Sequence, residues 1–232
     1  MIGRVISTSG VVAAVDSEKN TRRLQRRSEV FLGDTITTGP MGVVQIRLVD
    51  GAMFALKEDT GYLFKTYDYD GDSSTPDSAV MEMVRGGFRT ISGSKGDSIE
   101  DTYRIETQFA NIGVRGTVHE AVIAFGQLFT GVYEGGTTVT NALGSIDTGL
   151  GGDFDYAVTS DGEAPQGLLQ QPGQLRQISI INVGLDADED NGNDDDGNGG
   201  DGNGGSNNDG DAGNNNGGGN NDGGAGNNNG GV

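Results

Sequence analysis

Cysteine is absent from the 232 residues, which excludes disulfide frameworks, thiolate metal sites and cysteine nucleophiles. Histidine occurs once, as His119, and a zinc site needs three or four nitrogen, sulfur or oxygen ligands that one histidine with carboxylates rarely supplies. Long apolar runs are missing too: no window approaches about 18 consecutive apolar residues, so no segment reads as a membrane-spanning helix. The N-terminus lacks the basic, apolar and small-residue regions of a signal peptide. Residues 186–232 have no Lys or Arg, and besides Gly, Asn, Asp, Glu and one Ser they hold only Ala187, Ala212, Ala225 and Val232. Almost no apolar surface is available there to offset chain entropy, so this stretch reads as a disordered, acidic Gly/Asn/Asp-rich tail following a body of residues 1–185.

The net charge is −19, but 11 acidic residues belong to the tail, leaving 23 acids against 15 bases in residues 1–185. A mildly acidic body with no long basic stripe argues against a nucleic-acid partner. Lys19, Arg22, Arg23, Arg26 and Arg27 form a local basic cluster, but their alternation with Thr21, Leu24, Gln25 and Ser28 fits a solvated hairpin connection.

What the chain has in plenty is glycine, 43 residues, punctuating short alternating runs. Val44, Ile46 and Leu48 share one face of a run while Val43, Gln45, Arg47 and Val49 share the other, as a half-buried strand requires. The same reading predicts strands over 3–7, 11–15, 29–31, 35–37, 43–48, 53–56 and 61–66. A second set covers 80–84, 87–91, 103–107, 112–114, 117–125, 128–134 and 137–141. Helical spacing is hard to find, and each interior glycine would cost a helix about 1 kcal/mol relative to alanine. The class is all-β; short strands with tight turns serve sandwiches, rolls and solenoids alike. Residues 67–78 read as a polar surface loop joining two halves, and Ile178, Ile180 and Ile181 as a closing strand before the tail.

Five ordered blocks carry a more specific signal. They are Ile2-Gly3-Arg4-Val5, the run from Gly33 and Asp34 to Gly39, Leu48-Val49-Asp50-Gly51-Ala52, Met83-Val84-Arg85-Gly86, and Ala110-Asn111-Ile112-Gly113-Val114-Arg115-Gly116-Thr117. In that order they resemble the FecR domain family. The resemblance implies a compact two-layer β-structure of roll or solenoid character, and a non-catalytic extracytoplasmic module that senses a ligand or contacts a protein partner in envelope signalling. It begins at Ile2 and implies an export segment upstream, with a periplasmic or extracellular location. Gly33, Asp34, Gly39, Asp50, Gly51, Gly113, Arg115, Gly116 and Thr117 would be its structural motif residues. Arg115 has two readings: its donors satisfy carbonyls at the bend between Gly113 and Gly116, which is favoured because Ile112, Val114 and Val118 look buried, or it grips a partner's carboxylate.

Catalytic constellations are incomplete, and no enzyme is expected. Ser92-Gly93-Ser94-Lys95 spells S-x-x-K, but in a turn between strands and without its companion motifs. His119-Glu120 is half of a zinc-protease motif whose second histidine position is Ile123, leaving His119 as a packed or surface residue. Asp68, Asp70 and Asp72 have the spacing of weak calcium ligands, yet Ser73 and Ala79 stand where an EF-hand needs Gly and Glu. No cofactor beyond weak calcium is expected. An alternative function is a structural or cell-surface protein with the acidic tail as flexible spacer.

Overall fold

Alternating apolar and polar residues form strands because a period of two puts every second side chain on one face. The computed structural model describes residues 1–69, 78–92 and 103–175, and these form fifteen strands and no helix. The first eight are β1 (Gly3–Ser9), β2 (Val12–Val15), β3 (Thr21–Arg23), β4 (Glu29–Val30), β5 (Thr35–Thr38), β6 (Val43–Leu48), β7 (Met53–Leu56) and β8 (Gly61–Asp68). The rest are β9 (Ser78–Ile91), β10 (Tyr103–Glu106), β11 (Asn111–Ala124), β12 (Gln127–Asn141), β13 (Gly144–Gly149), β14 (Tyr156–Ser160) and β15 (Gln166–Leu168). Asp70, Asp72, Lys95, the closing isoleucines and the 186–232 tail, on which the sequence also raises expectations, lie outside the described residues.

Three pairs of expected strands prove to be single long ones. Strands β9, β11 and β12 each run through a glycine of positive φ, Gly86 at 79°, Gly116 at 51° and Gly135 at 73°. Such a residue bends a strand without ending it. In β11 the register slips between Arg115 and Val118, opposite Gly136 and Glu134 of β12. Each bent strand therefore gives its two halves to two different layers.

The first layer runs β4-β1-β6-β7-β9-β11-β12-β14-β15 and uses residues 86–91, 118–124 and 127–134 of the bent strands. The second runs β3-β2-β5-β8-β9-β10-β11-β12-β13 and uses residues 78–85, 111–115 and 136–141. Both are antiparallel except where β10 lies parallel to β9. The result is a two-layer all-β sandwich in one hydrogen-bonded network.

Between the layers lies one apolar core. Phe54 and Phe88 of the first layer meet Tyr62 and Phe64 of the second, with ring centroids 5.7 Å apart for Phe54–Tyr62 and 5.4 Å for Tyr62–Phe88. Each side chain so buried contributes about 1.5–3 kcal/mol. After β15 the chain turns back over the outside of the first layer, where buried Leu175 sits against Gly131 and Tyr156.

Candidate functional site

On the outside of the first layer, Val43, Lys57, Gly87, Val122 and Phe129 form one row across five neighbouring strands, because Val44 pairs with Leu56, Leu56 with Phe88, Gly87 with Val122 and Val122 with Phe129. The middle of this row has no side chain at Gly87, and the layer is hollowed beside it into an open groove of about 580 Å³. Val43, Val122 and Ile123 supply its apolar walls; Lys57, Glu58, Asp59, Arg85 and Gln174 supply the polar ones. The Arg85 Nε donates to the Asp59 carbonyl at 3.1 Å.

Beneath the groove the Lys57 ammonium is in contact with Glu120, which is wholly buried. The second Glu120 oxygen accepts a hydrogen bond from the Tyr133 hydroxyl at 3.0 Å. Gln171 donates to the same hydroxyl at 3.0 Å, and the Arg89 guanidinium lies 4.4 Å from the centre of the Tyr133 ring. Burial first, then the charge of Glu120, pushes the Tyr133 hydroxyl up. Attraction and hydrogen bonding offset the cost of taking both charges out of water only when the geometry is this complete.

His119 is buried. Its Nδ1 lies 2.8 Å from the Thr117 hydroxyl and its ring stands edge-on to Phe88 at 5.4 Å. Burial alone pushes its pKa down to about 3, so it is neutral at physiological pH. Thr117 in turn receives the Ser92 hydroxyl at its carbonyl, 3.0 Å away, and donates its N–H back to Ser92 Oγ at 3.0 Å. Ser92 is thereby placed in a strand-linking contact.

Of the motif residues, Gly33, Asp34, Gly39, Asp50 and Gly51 lie between strands, whereas Gly113, Arg115, Gly116 and Thr117 lie within β11. Gly33 and Asp34 close the turn into β5: buried Asp34 accepts the Phe31 N–H at 2.7 Å and pairs with Arg22, which also donates to the Glu29 carbonyl at 2.8 Å. The Gly39 N–H donates to the Val11 carbonyl at 2.9 Å. Asp50 accepts the Ala52 N–H at 3.0 Å across Gly51. With burial leading, its charge pushes the Tyr67 and Tyr103 hydroxyls up. Gly113 sits in regular register between Arg104 and Thr138, so the bend belongs to Gly116. Arg115 is about one-third exposed and reaches over Gly136 to the Leu150 carbonyl at 3.5 Å and to Asp147 at 3.6 Å.

The outside of the second layer is polar. Lys65 of β8 bridges Glu82 of β9 at 3.2 Å and Glu106 of β10 at 2.7 Å, and Arg104 holds Glu106 at 3.1 Å. Hydrogen bonds from Lys65 and Arg104 keep the Glu106 carboxyl below the usual range despite some burial, and the acids push Lys65 up. Threonines continue the ladder towards the edge: Thr138 donates to Asp147 at 2.7 Å, and Thr140 meets Ser145 at 2.7 Å.

Residues 34–137, from the start of β5 to the second half of β12, match the model of the FecR protein family. Over that span the chain is similar to the FecR family. The match takes in Asp34, Gly39, Asp50, Gly51, Gly113, Arg115, Gly116 and Thr117; Gly33 stands just before it, and the opening block at residues 2–5 lies well upstream, outside it. Two crystal structures of a candidate anti-sigma factor from Parabacteroides distasonis ATCC 8503 are similar to the chain at 14% identity and a TM-score of 0.42. The aligned part covers 57% of this chain and 59% of theirs. No curated protein matches the chain.

Among the described residues no group of three or more His, Asp or Glu side chains converges on a metal position, and Asp68 closes β8 as an exposed residue. Also among them, no helix is long and apolar enough to cross a membrane. In the sequence His119-Glu120 stands only as half a motif. The partner of Glu120 is Lys57, 63 residues away, and only the register of β7, β9 and β11 reveals the pair.

Proposed function

We propose that this chain is a non-catalytic interaction module of extracytoplasmic signalling in the bacterial envelope, presenting the outside of its second layer to a protein partner. The observation that carries the reading is how the ionisable groups are spent. The buried acidic and basic side chains among the described residues are Asp34, Asp50, Lys57, His119 and Glu120, and each makes a contact that holds strands or turns together. Catalysis needs such groups aimed at a shared reacting position. The partly or fully exposed charges behave differently: Lys65, Glu82, Arg104 and Glu106 stand side by side across three strands, and Arg115 and Asp147 extend the surface towards β13. A rigid, mixed-charge face of this kind discriminates partners by electrostatic complementarity. The FecR match supports the regulatory class.

The test is calorimetric titration of the purified protein against the extracytoplasmic domains of receptors and sensors encoded beside its gene, with a transcriptional reporter on the same locus. Binding that falls at least tenfold in a Lys65→Glu/Arg104→Glu variant, with melting unchanged, is the expected result. Absence of binding, together with unaltered transcription when the gene is deleted, would overturn the signalling reading. Undiminished binding by the variant would overturn the choice of face.

A further inference from the structure

The outside of the first layer has two places where a strand carries glycine instead of a side chain, Gly131 in β12 and Gly87 in β9. The first is filled: a Cβ on Gly131 would stand 2.8 Å from a Leu175 methyl and 3.0 Å from the Tyr156 ring. Leu175 is delivered by a turn in which its N–H donates to the Pro172 carbonyl at 3.1 Å, and Gln171 caps its carbonyl at 2.9 Å. At Gly87 the space directly over the backbone is taken by a Val122 methyl, 2.8 Å from the Cβ position, and the Ala121 carbonyl at 2.9 Å, and the open groove lies beside it, walled by Val43, Val122 and Ile123. Gln174, next to Leu175, already lines it.

We propose that the groove at Gly87 is the docking site of the chain's own residues 178–183, so that the C-terminal strap begun by Leu175 continues across the first layer. The occupant follows from where the described chain ends and from what comes next. Gly131 pairs with Glu120 and Glu120 with Arg89, so Gly87 lies two strands over and two residues along from Gly131. With strands about 4.8 Å apart and a rise of about 3.3 Å per residue, that is a path of about 12 Å, which extended chain covers in about four residues. Counting from Leu175, the residues that arrive are Ile178 and Ile180, separated by Ser179 and hence on one face of an extended segment. Their side chains suit the apolar wall, and the Lys57 stem and Val122 already lean over Gly87, at 3.2 and 2.8 Å from its Cβ position. No equally apolar stretch follows: beyond Leu185 the sequence is almost entirely Gly, Asn and Asp.

The absence of cysteine makes disulfide trapping a clean test in the full chain. Val122 and Val158 flank Phe129 on opposite sides, so both lie one strand and two residues from Gly131, but only Val122 faces the groove. Ile178→Cys and Ile180→Cys are each combined with Val122→Cys and, as control, with Val158→Cys. Mild oxidation is followed by mass spectrometry and non-reducing gels. The expected result is an intramolecular disulfide to position 122 at least tenfold faster than to position 158 for one of the two isoleucine positions. A smaller ratio at both positions overturns the proposal, and so does a product that is mainly a disulfide-linked dimer, which would make a second copy the occupant. Val43→Cys, at the far side of the groove, replaces Val122→Cys if that variant does not fold. Because partner binding is not measured, failure here leaves the reading of the second layer's face intact.

Discussion

Gly135 lies directly over the carbonyl of Gly116: a Cβ on Gly135 would stand 1.9 Å from that oxygen. The two glycines are the bends of β12 and β11, and their backbones nest because neither carries a side chain. Gly135→Ala has to shift a backbone carbonyl as well as adopt a φ of 73°. Left-handed backbone costs a non-glycine residue about 1–2 kcal/mol and overpacking typically another 1–3, so a loss of about 2–5 kcal/mol is expected in urea unfolding. Gly126→Ala is the internal comparison, since Gly126 also has a φ of 73° but nothing within 4 Å of its Cβ position. It should lose only about 1–2 kcal/mol, the backbone part alone.

Lys57 and Glu120 form the buried charge pair of the first layer. Removing one member leaves the other charged and out of water, which costs about 3–5 kcal/mol. Lys57→Met should therefore be severely destabilising, whereas Lys57→Met/Glu120→Gln should recover part of the loss, since the orphaned charge is gone. Tyr133→Phe removes one hydrogen bond to the carboxylate and should cost about 1.5–3 kcal/mol. Chemical denaturation of the four proteins checks the ordering.

Much of the strand pattern was legible because the core needs it. Val44, Ile46 and Leu48, and likewise Tyr62 and Phe64, alternate with polar or half-exposed neighbours and lie buried between the layers. The bends look like strand ends in the sequence, since the residues on either side of Gly86, Gly116 and Gly135 alternate independently and no local signal says that one hydrogen-bonded strand passes through. Short edge strands escaped for another reason. Thr21–Arg23, Gly144–Gly149 and Gln166–Leu168 are polar or glycine-rich, and their partners are chosen by tertiary pairing. The Lys57–Glu120 pair was illegible because a buried charge on an outer face makes sense only once residues 169–175 are known to return over that face.

His119 gives the fold a pH dependence of known sign. Its folded pKa is held at about 3 by burial, below the unfolded value, so the unfolded chain takes up the proton first. The stability it contributes is full above about pH 6.5 and declines as the pH falls towards the folded value. Between pH 7.5 and pH 5 the loss from this residue should be about 2 kcal/mol, at about 1.4 kcal/mol per pKa unit. Phe88, Thr90 and Thr117 are its neighbours across the strands and in the core, and none of them titrates in this range. Urea midpoints of the wild type should fall over this interval, while those of His119→Gln should stay nearly flat; parallel slopes would mean that His119 is protonated in the folded protein.

Arg115 and Gly116 are adjacent, yet their substitutions should separate. The Arg115 guanidinium is about one-third exposed and reaches Asp147 only at 3.6 Å and the Leu150 carbonyl at 3.5 Å. Partly exposed pairs contribute about 0–1 kcal/mol, so Arg115→Ala should melt within about 4 °C of the wild type, given a shift of about 2–4 °C per kcal/mol in a body of this size. Gly116→Val forces a β-branched residue to a φ of 51°, beneath Gly135, and should destabilise by several times as much. If Arg115→Ala melts normally but binds an envelope partner more weakly, the guanidinium belongs to the interaction face with Lys65 and Arg104. A drop in melting temperature as large as that of Gly116→Val would instead make Arg115 a brace of the bend, holding the Leu150 turn against β12.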